Sequence, residues 1–437
     1  MRSSIDYIRN DNRILSIILS VPISTIYASI GSSLSGAPFI SIFLIGILSF
    51  YIFLRNLDLL KSTTSRAVYI LLGSVKFAAV IFNATTKAIP FTGVDWGTYD
   101  AMARSAIETS DSIVTLFGNS FDLYVFCVAI VYKIFGNNIE QIFFYMLPLS
   151  LITFRYVYKA TALITKSTKK ASIAGLLMLA WPVSFVFSIS VLREASIQML
   201  IAASFYYFIL YIQGAGRLYK GIAFASAAAL MHSGLVVVPL VYLYVAIQRI
   251  RRKQARVLKI SALVIIGLVI SLLVFSPFGS NFGGQLAKID STESLVESLA
   301  VRNEALSDAT TSYISGAPAN LVELLVSTPF RLAMFSMSPL PWQLRGLDTL
   351  LALIIDGMPQ ILLLIIIVSI VKARKKFNIV NKNIVITGIM IILASYIVFA
   401  IGTNNYGTAM RHRAKVSPII LVLAVSYYRY REVEKNR

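Results

Sequence analysis

Long apolar stretches, separated by short polar and basic segments, dominate the chain. A membrane whose hydrocarbon core is about 30 Å thick needs roughly 20 helical residues to cross it. Many of the apolar stretches have this length and contain almost no charged side chains. The pattern predicts an all-α polytopic membrane protein with spans at residues 14–33, 36–54, 67–89, 139–165, 171–190, 193–212, 257–276, 350–371, 384–403 and 414–428.

Basic clusters lie between these predicted spans. Cytoplasmic connections of membrane proteins carry an excess of Lys and Arg, so we expect every cluster, and both termini, on the cytoplasmic side. The clusters are Arg55/Lys61/Arg66, KSTKK at 166–170, RLYK at 217–220, RIRRKQAR at 249–256, KARKK at 372–376 and the C-terminal RYREVEKNR.

This distribution of charge argues against an ordinary span at residues 120–136. The sequence SFDLYVFCVAIVYKIFG is apolar, but a crossing there would move the KSTKK cluster to the outer side. The segment is therefore predicted to return to the outer face as a juxtamembrane helix.

The stretch from Gly221 to Ile247 contains no Asp, Glu, Lys or Arg and is slightly too long for one span. RLYK and RIRRK flank it, and both can be cytoplasmic only if the stretch goes out and returns. We therefore predict a hairpin with arms 219–232 and 234–248 and with His232 at its tip. The alternative is a single tilted helix in which the histidine packs against a neighbour.

With the hairpin, the chain is expected to have about twelve membrane segments in a single integral membrane domain, residues 1–437. Its two large extracytoplasmic loops are predicted at residues 90–138 and 277–349. Because long loops often carry function, we expect the functional site on the outer face.

The amino-acid composition also indicates a membrane protein. The chain is 57% hydrophobic and 14% charged, with a mean hydropathy of +0.76, outside the range of soluble globular proteins. The excess of 40 Lys and Arg over 20 Asp and Glu lies in the loop clusters, so we expect no nucleic-acid binding. The single cysteine, Cys127, excludes an intrachain disulfide framework and a multi-cysteine metal site.

Ionisable side chains at membrane depth are costly unless they pair or face a cavity, so those near the predicted outer face are candidates for function. Arginine binds phosphate oxygens with two parallel hydrogen bonds and keeps its charge in a dry site. A carboxylate or histidine nearby could accept a proton from an attacking hydroxyl. The set fits glycosyl transfer from a polyprenyl pyrophosphate to a sugar hydroxyl, with arginines stabilising the departing phosphate. Its members are Asp95, Asp100, Arg193, Glu194, His232, Arg302, Arg331, Arg345, Arg411, His412 and Arg413.

The segment VDWGTYDAMARSA at 94–106, followed by LYVFCVAIVYKIFG, resembles the first extracytoplasmic loop of membrane glycosyltransferases of the GT-C type. In that pattern an acidic residue after a span is followed by a tyrosine four residues on and by a juxtamembrane helix. Asp95 and Tyr99 occupy the two positions. The resemblance implies a GT-C-like fold and a catalytic role for Asp95.

Two further segments are similar to polysaccharide repeat-unit polymerases of the Wzy-like and EpsG-like families. SISVLREASIQML and LYKGIAFASAAALMHSG contain the Leu-Arg and His-small features of those families, at Arg193 and His232. NNYGTAMRHRAKVSP matches a basic patch before a final proline-containing span. Where the families commonly have an amide after the arginine, this chain has Glu194, which leaves open whether Glu194 or Asp95 is the acid–base group.

The resemblance implies a bacterial inner-membrane enzyme that polymerises oligosaccharide repeat units linked to polyprenyl pyrophosphate, as in O-antigen, capsule or exopolysaccharide synthesis. The bilayer and a chain-length regulator protein are the other expected partners. No cofactor is expected, although Asp95 and Asp100 could in principle share Mg²⁺ or Mn²⁺ with substrate phosphates. Candidate catalytic residues are Asp95, His232 and Glu194, and candidate substrate-binding residues are Arg193, Arg331, Arg345, Arg411, Arg413, Tyr99 and Asp100.

Two other functions compete with this one. The first is a GT-C transferase that takes one sugar from a polyprenyl monophosphate. The second is a transporter or flippase of lipid-linked sugars. A transporter is expected to show internal pseudo-symmetry and charges near the bilayer midplane, whereas here no halves repeat and the charges collect at one face.

Overall fold

The computed structural model describes residues 13–89, 93–120, 123–249, 312–313, 320–373 and 377–427. Regular structure in these ranges is helical, apart from an isolated antiparallel β-bridge between Ser312 and Asn405. The α-helices are α1 (Arg13–Ser35), α2 (Phe39–Leu57), α3 (Thr63–Thr86), α4 (Gly93–Glu108), α5 (Ile113–Asn119), α6 (Leu123–Phe135), α7 (Glu140–Thr165), α8 (Thr168–Ala180), α9 (Pro182–Phe187), α10 (Glu194–Ile212), α11 (Leu218–Met231), α12 (Val237–Arg249), α13 (Leu321–Met337), α14 (Leu347–Ala352), α15 (Met358–Ala373), α16 (Ile379–Ile401) and α17 (Tyr406–Tyr427).

Within the described ranges, six helices are long and apolar enough to cross a membrane: Ile14–Ser35, Phe39–Leu57, Thr63–Thr86, Glu194–Ile212, Leu347–Ala373 and Ile379–Ile401. The fifth runs through α14, a π-helical turn at Leu353–Gly357 and α15. The described part of the chain is therefore helical, and its apolar helices indicate a multi-pass membrane protein. The count of about twelve segments and the bounds of the two large loops remain predictions, and the predicted span 257–276 lies outside the described residues.

Hydrogen bonds between helix ends bring the basic connections together at one end of the bundle. Tyr158 on α7 donates to the carbonyl of Leu59, between α2 and α3, over 2.6 Å. Gln213, after α10, donates to the carbonyl of Leu163 near the end of α7 over 3.1 Å. We call the part of the bundle that contains the connections 55–66, 166–170 and 213–220 the basic end.

The last two helices reach the same end. Lys170, after the α7–α8 connection, lies 3.4 Å from the carbonyl oxygen of Ser426 near the end of α17. The Tyr427 hydroxyl lies 3.3 Å from Asn381 Oδ1, at the start of α16. Clustering of the basic connections at one end is what the charge pattern of the sequence predicts.

Helices α11 and α12 form an antiparallel hairpin. The hydroxyl of Tyr242 on α12 lies 3.1 Å from Ser204 Oγ on α10, and its ring stacks on Phe208 at 4.4 Å. Gly221 on α11 approaches the same turn so closely that a Cβ there would lie 3.2 Å from the Ser204 carbonyl oxygen. In one continuous helix, residues 221 and 242 would be roughly 30 Å apart. The chain therefore turns back at His232, and the single tilted helix is the wrong alternative.

Helix α6 is 13 residues long, about 20 Å and too short to cross the hydrocarbon core. It packs against α4 through aromatic rings, with those of Tyr99 and Tyr124 edge to face at 5.0 Å, and through a polar group. Asp100 on α4 accepts a hydrogen bond of 2.6 Å from the Tyr132 hydroxyl on α6 and one of 3.0 Å from Arg104 Nε. Burial and the adjacent Asp100 raise the pKa of Tyr132, so its hydroxyl stays protonated and can donate.

Candidate active site

The segment between α9 and α10 is held by side chains of α3. Asn83 Nδ2 donates to the carbonyl oxygen of Ile189 over 2.8 Å and lies 3.2 Å from Ser190 Oγ. Lys76 Nζ donates to Ser188 Oγ over 2.6 Å. The bond to Ile189 satisfies a buried backbone carbonyl that lies outside the helices. Together, these bonds fix the point at which α10 begins.

Arg193 directly precedes α10 and joins three elements. Its Nη1 donates a hydrogen bond of 2.9 Å to the carbonyl oxygen of Met231, the last residue of α11. Its guanidinium also lies 5.8 Å from the centre of the Tyr99 ring on α4, within cation–π range. The hairpin tip, the start of α10 and helix α4 therefore meet at this arginine.

Glu194 occupies the first turn of α10, where the helix dipole favours a negative charge. Its Oε1 lies 3.5 Å from Lys415 Nζ on α17, and the two side chains are only 4% and 1% exposed. Lys415 Nζ is also 2.7 Å from Nδ1 of His412, one turn earlier on α17. The acidic start of α10 is thus buried against a basic turn of α17.

Two histidines and a phenylalanine form one face of this site. The rings of His232 and His412 meet edge to face at 5.0 Å, and His412 stacks on Phe399 at 4.3 Å. Gly234, just past the hairpin tip, allows the close approach, because a Cβ there would lie 2.5 Å from the Phe399 ring. The tip is therefore seated directly on the end of α16.

Three cations lie close to one another in this region. Lys415 lies within electrostatic range of Arg193, Arg411 and Glu194. Glu194 is a carboxylate that contacts this group, through Lys415. We call Arg193, Arg411 and Lys415 the cation cluster. Guanidinium and ammonium groups are suited to an anionic ligand such as a phosphate.

Arg413 lies on the same turn of α17 but makes different contacts. Its Nη2 forms an ion pair with Asp356 in the π-helical turn, and its Nη1 donates to the carbonyl oxygen of Phe335 over 2.6 Å. Both charged residues are 1% exposed. The pair joins α17 to α13 and to the segment between α14 and α15, and a contact of Arg413 with substrate remains a prediction.

Arg331 and Arg345 occupy different environments. Arg331 on α13 is buried and its Nε lies 3.2 Å from Ser327 Oγ. It is within electrostatic range of Tyr313, whose hydroxyl donates to the carbonyl oxygen of Thr403 over 3.0 Å. Arg345 is exposed, between Pro341–Gln343 and α14.

The acidic residues of α4 also differ. Asp100 accepts hydrogen bonds from Arg104 and Tyr132, so its visible role is to hold α4 against α6. Asp95 lies in the first turn of α4, one turn before Tyr99, and its side chain is outside the described part of the structure. Over the described ranges, no group of three or more His, Cys, Asp or Glu side chains could hold a metal ion.

The structure thus brings Arg193, Glu194, His232 and Arg411 together, with Tyr99 at the edge. Sequence reasoning missed Lys415 and Phe399. Lys415 falls inside a predicted span, where an ionisable side chain is itself a signal of function, and that signal could have identified it. Phe399 gave no comparable signal, because an aromatic residue in an apolar helix is ordinary.

No curated protein and no solved structure matches the chain at a significant level. Residues 123–280 match the model of a protein family described as dolichyl-phosphate-mannose-protein mannosyltransferase. The matched range includes Arg193, Glu194 and the hairpin tip, and its last part lies outside the described residues. This similarity supports a membrane glycosyltransferase of the GT-C type.

Proposed function

We propose that the protein is a glycosyltransferase that polymerises oligosaccharide repeat units linked to polyprenyl pyrophosphate. The observation that carries the proposal is the meeting of the cation cluster with Glu194 and His232 at the start of α10. Such a site offers both an anion-binding group and candidate proton acceptors. Both are needed when a sugar hydroxyl displaces a phosphate.

In this reaction the acceptor hydroxyl oxygen forms a bond to the anomeric carbon of the donor sugar. The bond from that carbon to the pyrophosphate oxygen breaks, and polyprenyl pyrophosphate leaves with the bonding electrons. Arg193, Arg411 and Lys415 would stabilise the charge that develops on the leaving group, with Arg331, Arg345 and Arg413 as further candidate contacts. The hydroxyl proton would pass to Asp95, Glu194 or His232.

The orientation of the bundle in the membrane follows from its charge. The positive-inside rule puts the basic end in the cytoplasm, so the start of α10 and the hairpin tip would face the opposite side. For a bacterial protein this would be the outer face of the inner membrane, with both termini cytoplasmic. A chain-length regulator protein would be a partner on the same face.

A second candidate is a transferase that takes one sugar from a polyprenyl monophosphate. The similarity of residues 123–280 to a family named for a dolichyl-phosphate-mannose substrate favours it. Both candidates use a lipid-linked donor and the same cation cluster. They differ in the number of donor phosphates and in whether the product grows by repeated addition.

The test uses the purified full-length protein with each donor in turn. Polyprenyl-pyrophosphate-linked repeat units should give products of increasing length, whereas a polyprenyl-monophosphate sugar should give none. Arg193→Ala, His232→Ala and Asp95→Asn should shorten or abolish the product. Lys169→Ala, which removes an exposed cation at the basic end, should not.

Three outcomes would contradict the proposal. Single-sugar transfer from the monophosphate donor alone would select the second candidate. Movement of the lipid-linked sugar across the membrane without a new glycosidic bond would identify a transporter. Unchanged polymer from all three site variants would remove the site assignment.

A further inference from the structure

A second group of cations lies on α7, away from the cation cluster. Arg155 and Lys159 are one helical turn apart and both are half-buried. Arg155 lies about 15 Å along the helix from its end at Thr165, inside the predicted span 139–165. Their depth and separation from the proposed active site call for a different function.

Neither cation is neutralised by the part of the chain that the structure describes. No carboxylate there lies within 4.0 Å of Arg155 or Lys159. Arg155 Nη1 contacts the neutral Asn56 Oδ1 at 3.3 Å. Lys159 Nζ lies 5.9 Å from the centre of the Tyr206 ring. Two adjacent positive charges at this depth require a compensating anion or access to water.

Aromatic side chains from three helices surround these cations. Tyr156 on α7 lies 5.6 Å from Tyr206 and 6.2 Å from Tyr207 on α10, measured between ring centres. Tyr207 stacks on Phe224 of α11 at 5.5 Å. Lys220, at the start of α11, lies 5.6 Å from the Tyr207 ring. Tyrosines and lysines of this kind are typical of the interface between lipid tails and headgroups.

The position of Arg155 identifies the side from which a ligand could enter. It is within electrostatic range of Tyr51 and Arg55 on α2 and also of Tyr206 on α10. The guanidinium therefore lies between α2 and α10, close to the basic end. Tyr206 is roughly 20 Å along α10 from Arg193, so this group and the cation cluster cannot share one headgroup.

We propose that Arg155 and Lys159 bind the phosphate of an anionic membrane lipid in the leaflet at the basic end. A lipid phosphate supplies a negative charge that the two long basic side chains can reach from α7, and its tails can occupy the membrane beside α7. Basic pockets between transmembrane helices on the cytoplasmic side bind anionic lipid headgroups in this way. The site is independent of the glycosyltransferase proposal.

Native mass spectrometry of the full-length protein in neutral detergent tests the site, with phosphatidylglycerol as the probe. The wild type should bind phosphatidylglycerol more tightly than phosphatidylcholine. Arg155→Gln/Lys159→Gln should weaken phosphatidylglycerol binding about 30-fold. The matched control is Lys169→Gln/Lys372→Gln, which removes the same charge from exposed positions, and it should bind as the wild type does. Arg155→Lys/Lys159→Arg keeps both charges and should also bind normally.

The results separate the possible sources of phosphate. Displacement of bound phosphatidylglycerol by millimolar inorganic phosphate would show a free-phosphate site and overturn the lipid assignment. Equal losses in the Gln variant and its control would show general surface attraction, which also overturns it. If the double Gln variant does not fold, Lys159→Gln alone should weaken binding about fivefold, and unchanged binding would reject the site.

Discussion

Lys415 on α17 and Glu194 on α10 form a buried contact, with Nζ and Oε1 3.5 Å apart. The two residues are far apart in sequence, yet their contact joins the basic turn of α17 to the first turn of α10. Arg193 then connects that turn to the hairpin tip through Met231. The cation cluster is therefore assembled by contacts between helices.

Because the pair is buried, single and double substitutions should have different effects on stability. Removing one partner leaves an uncompensated charge, so Glu194→Gln or Lys415→Met should each lower the free energy of unfolding by about 3 kcal/mol. The double variant leaves neither charge and should lose much less than the sum of the single losses. The free energies of unfolding of the wild type, the two single variants and the double variant can be measured by chemical denaturation followed by tryptophan fluorescence.

Activity should respond differently from stability. If both residues serve the reaction, the double variant should recover stability but not turnover of the lipid-linked donor. Recovery of both would mean that the pair only holds α10 against α17. Additive losses of stability would contradict the contact itself.

Arg413 and Asp356 provide a second test, because their pair is equally buried. Asp356→Asn should cost about 3 kcal/mol by leaving Arg413 poorly compensated, whereas Asp356→Leu/Arg413→Met should be close to neutral. Unfolding measurements check the stabilities, and product length with the lipid-linked donor checks activity. Retained activity in the double variant would assign the pair to structure. Loss of activity in a folded double variant would instead assign Arg413 to substrate binding.

Much of the fold could be predicted from two properties of the sequence. Apolar length identified membrane helices such as α3 and α16, and the positions of Lys and Arg identified the basic end and the hairpin at His232. Charge was informative because burying or translocating it is costly, which constrains where each connection can lie. The positions of the charges also predicted that residues 120–136 do not cross the membrane, and α6 in that segment is only 13 residues long.

The site could be predicted only in part. The sequence indicated Arg193, Glu194 and His232 through motifs and position. It could not indicate that Lys415 contacts Glu194 or that Arg413 contacts Asp356. Those contacts depend on the rotation of α17 about its axis, which packing against several helices determines. From the basic residues 411–415 alone, one could not tell which cation faces the site and which is paired elsewhere.

Tyr132 predicts a dependence of stability on alkaline pH. Burial and Asp100 raise its pKa in the folded protein above the usual value of 10.0. The unfolded chain therefore releases this proton first, so the contribution of Tyr132 to stability is fully present below pH 10 and declines above it. The difference in melting temperature between the wild type and Tyr132→Phe should be constant from about pH 7 to 9 and shrink towards pH 11. A difference that grows with pH would contradict the contact with Asp100.

Asn83 is predicted to position Arg193, because it holds the segment that precedes α10. Asn83→Ala leaves the Ile189 carbonyl unsatisfied and should cost about 1–3 kcal/mol of stability. It should also lower kcat about tenfold or more by misplacing the cation cluster. Asn56→Ala is the matched control: Asn56 is equally buried and donates to the Leu151 carbonyl over 2.9 Å at the basic end. It should lose similar stability but keep its kcat, and equal kinetic losses would make Asn83 merely structural.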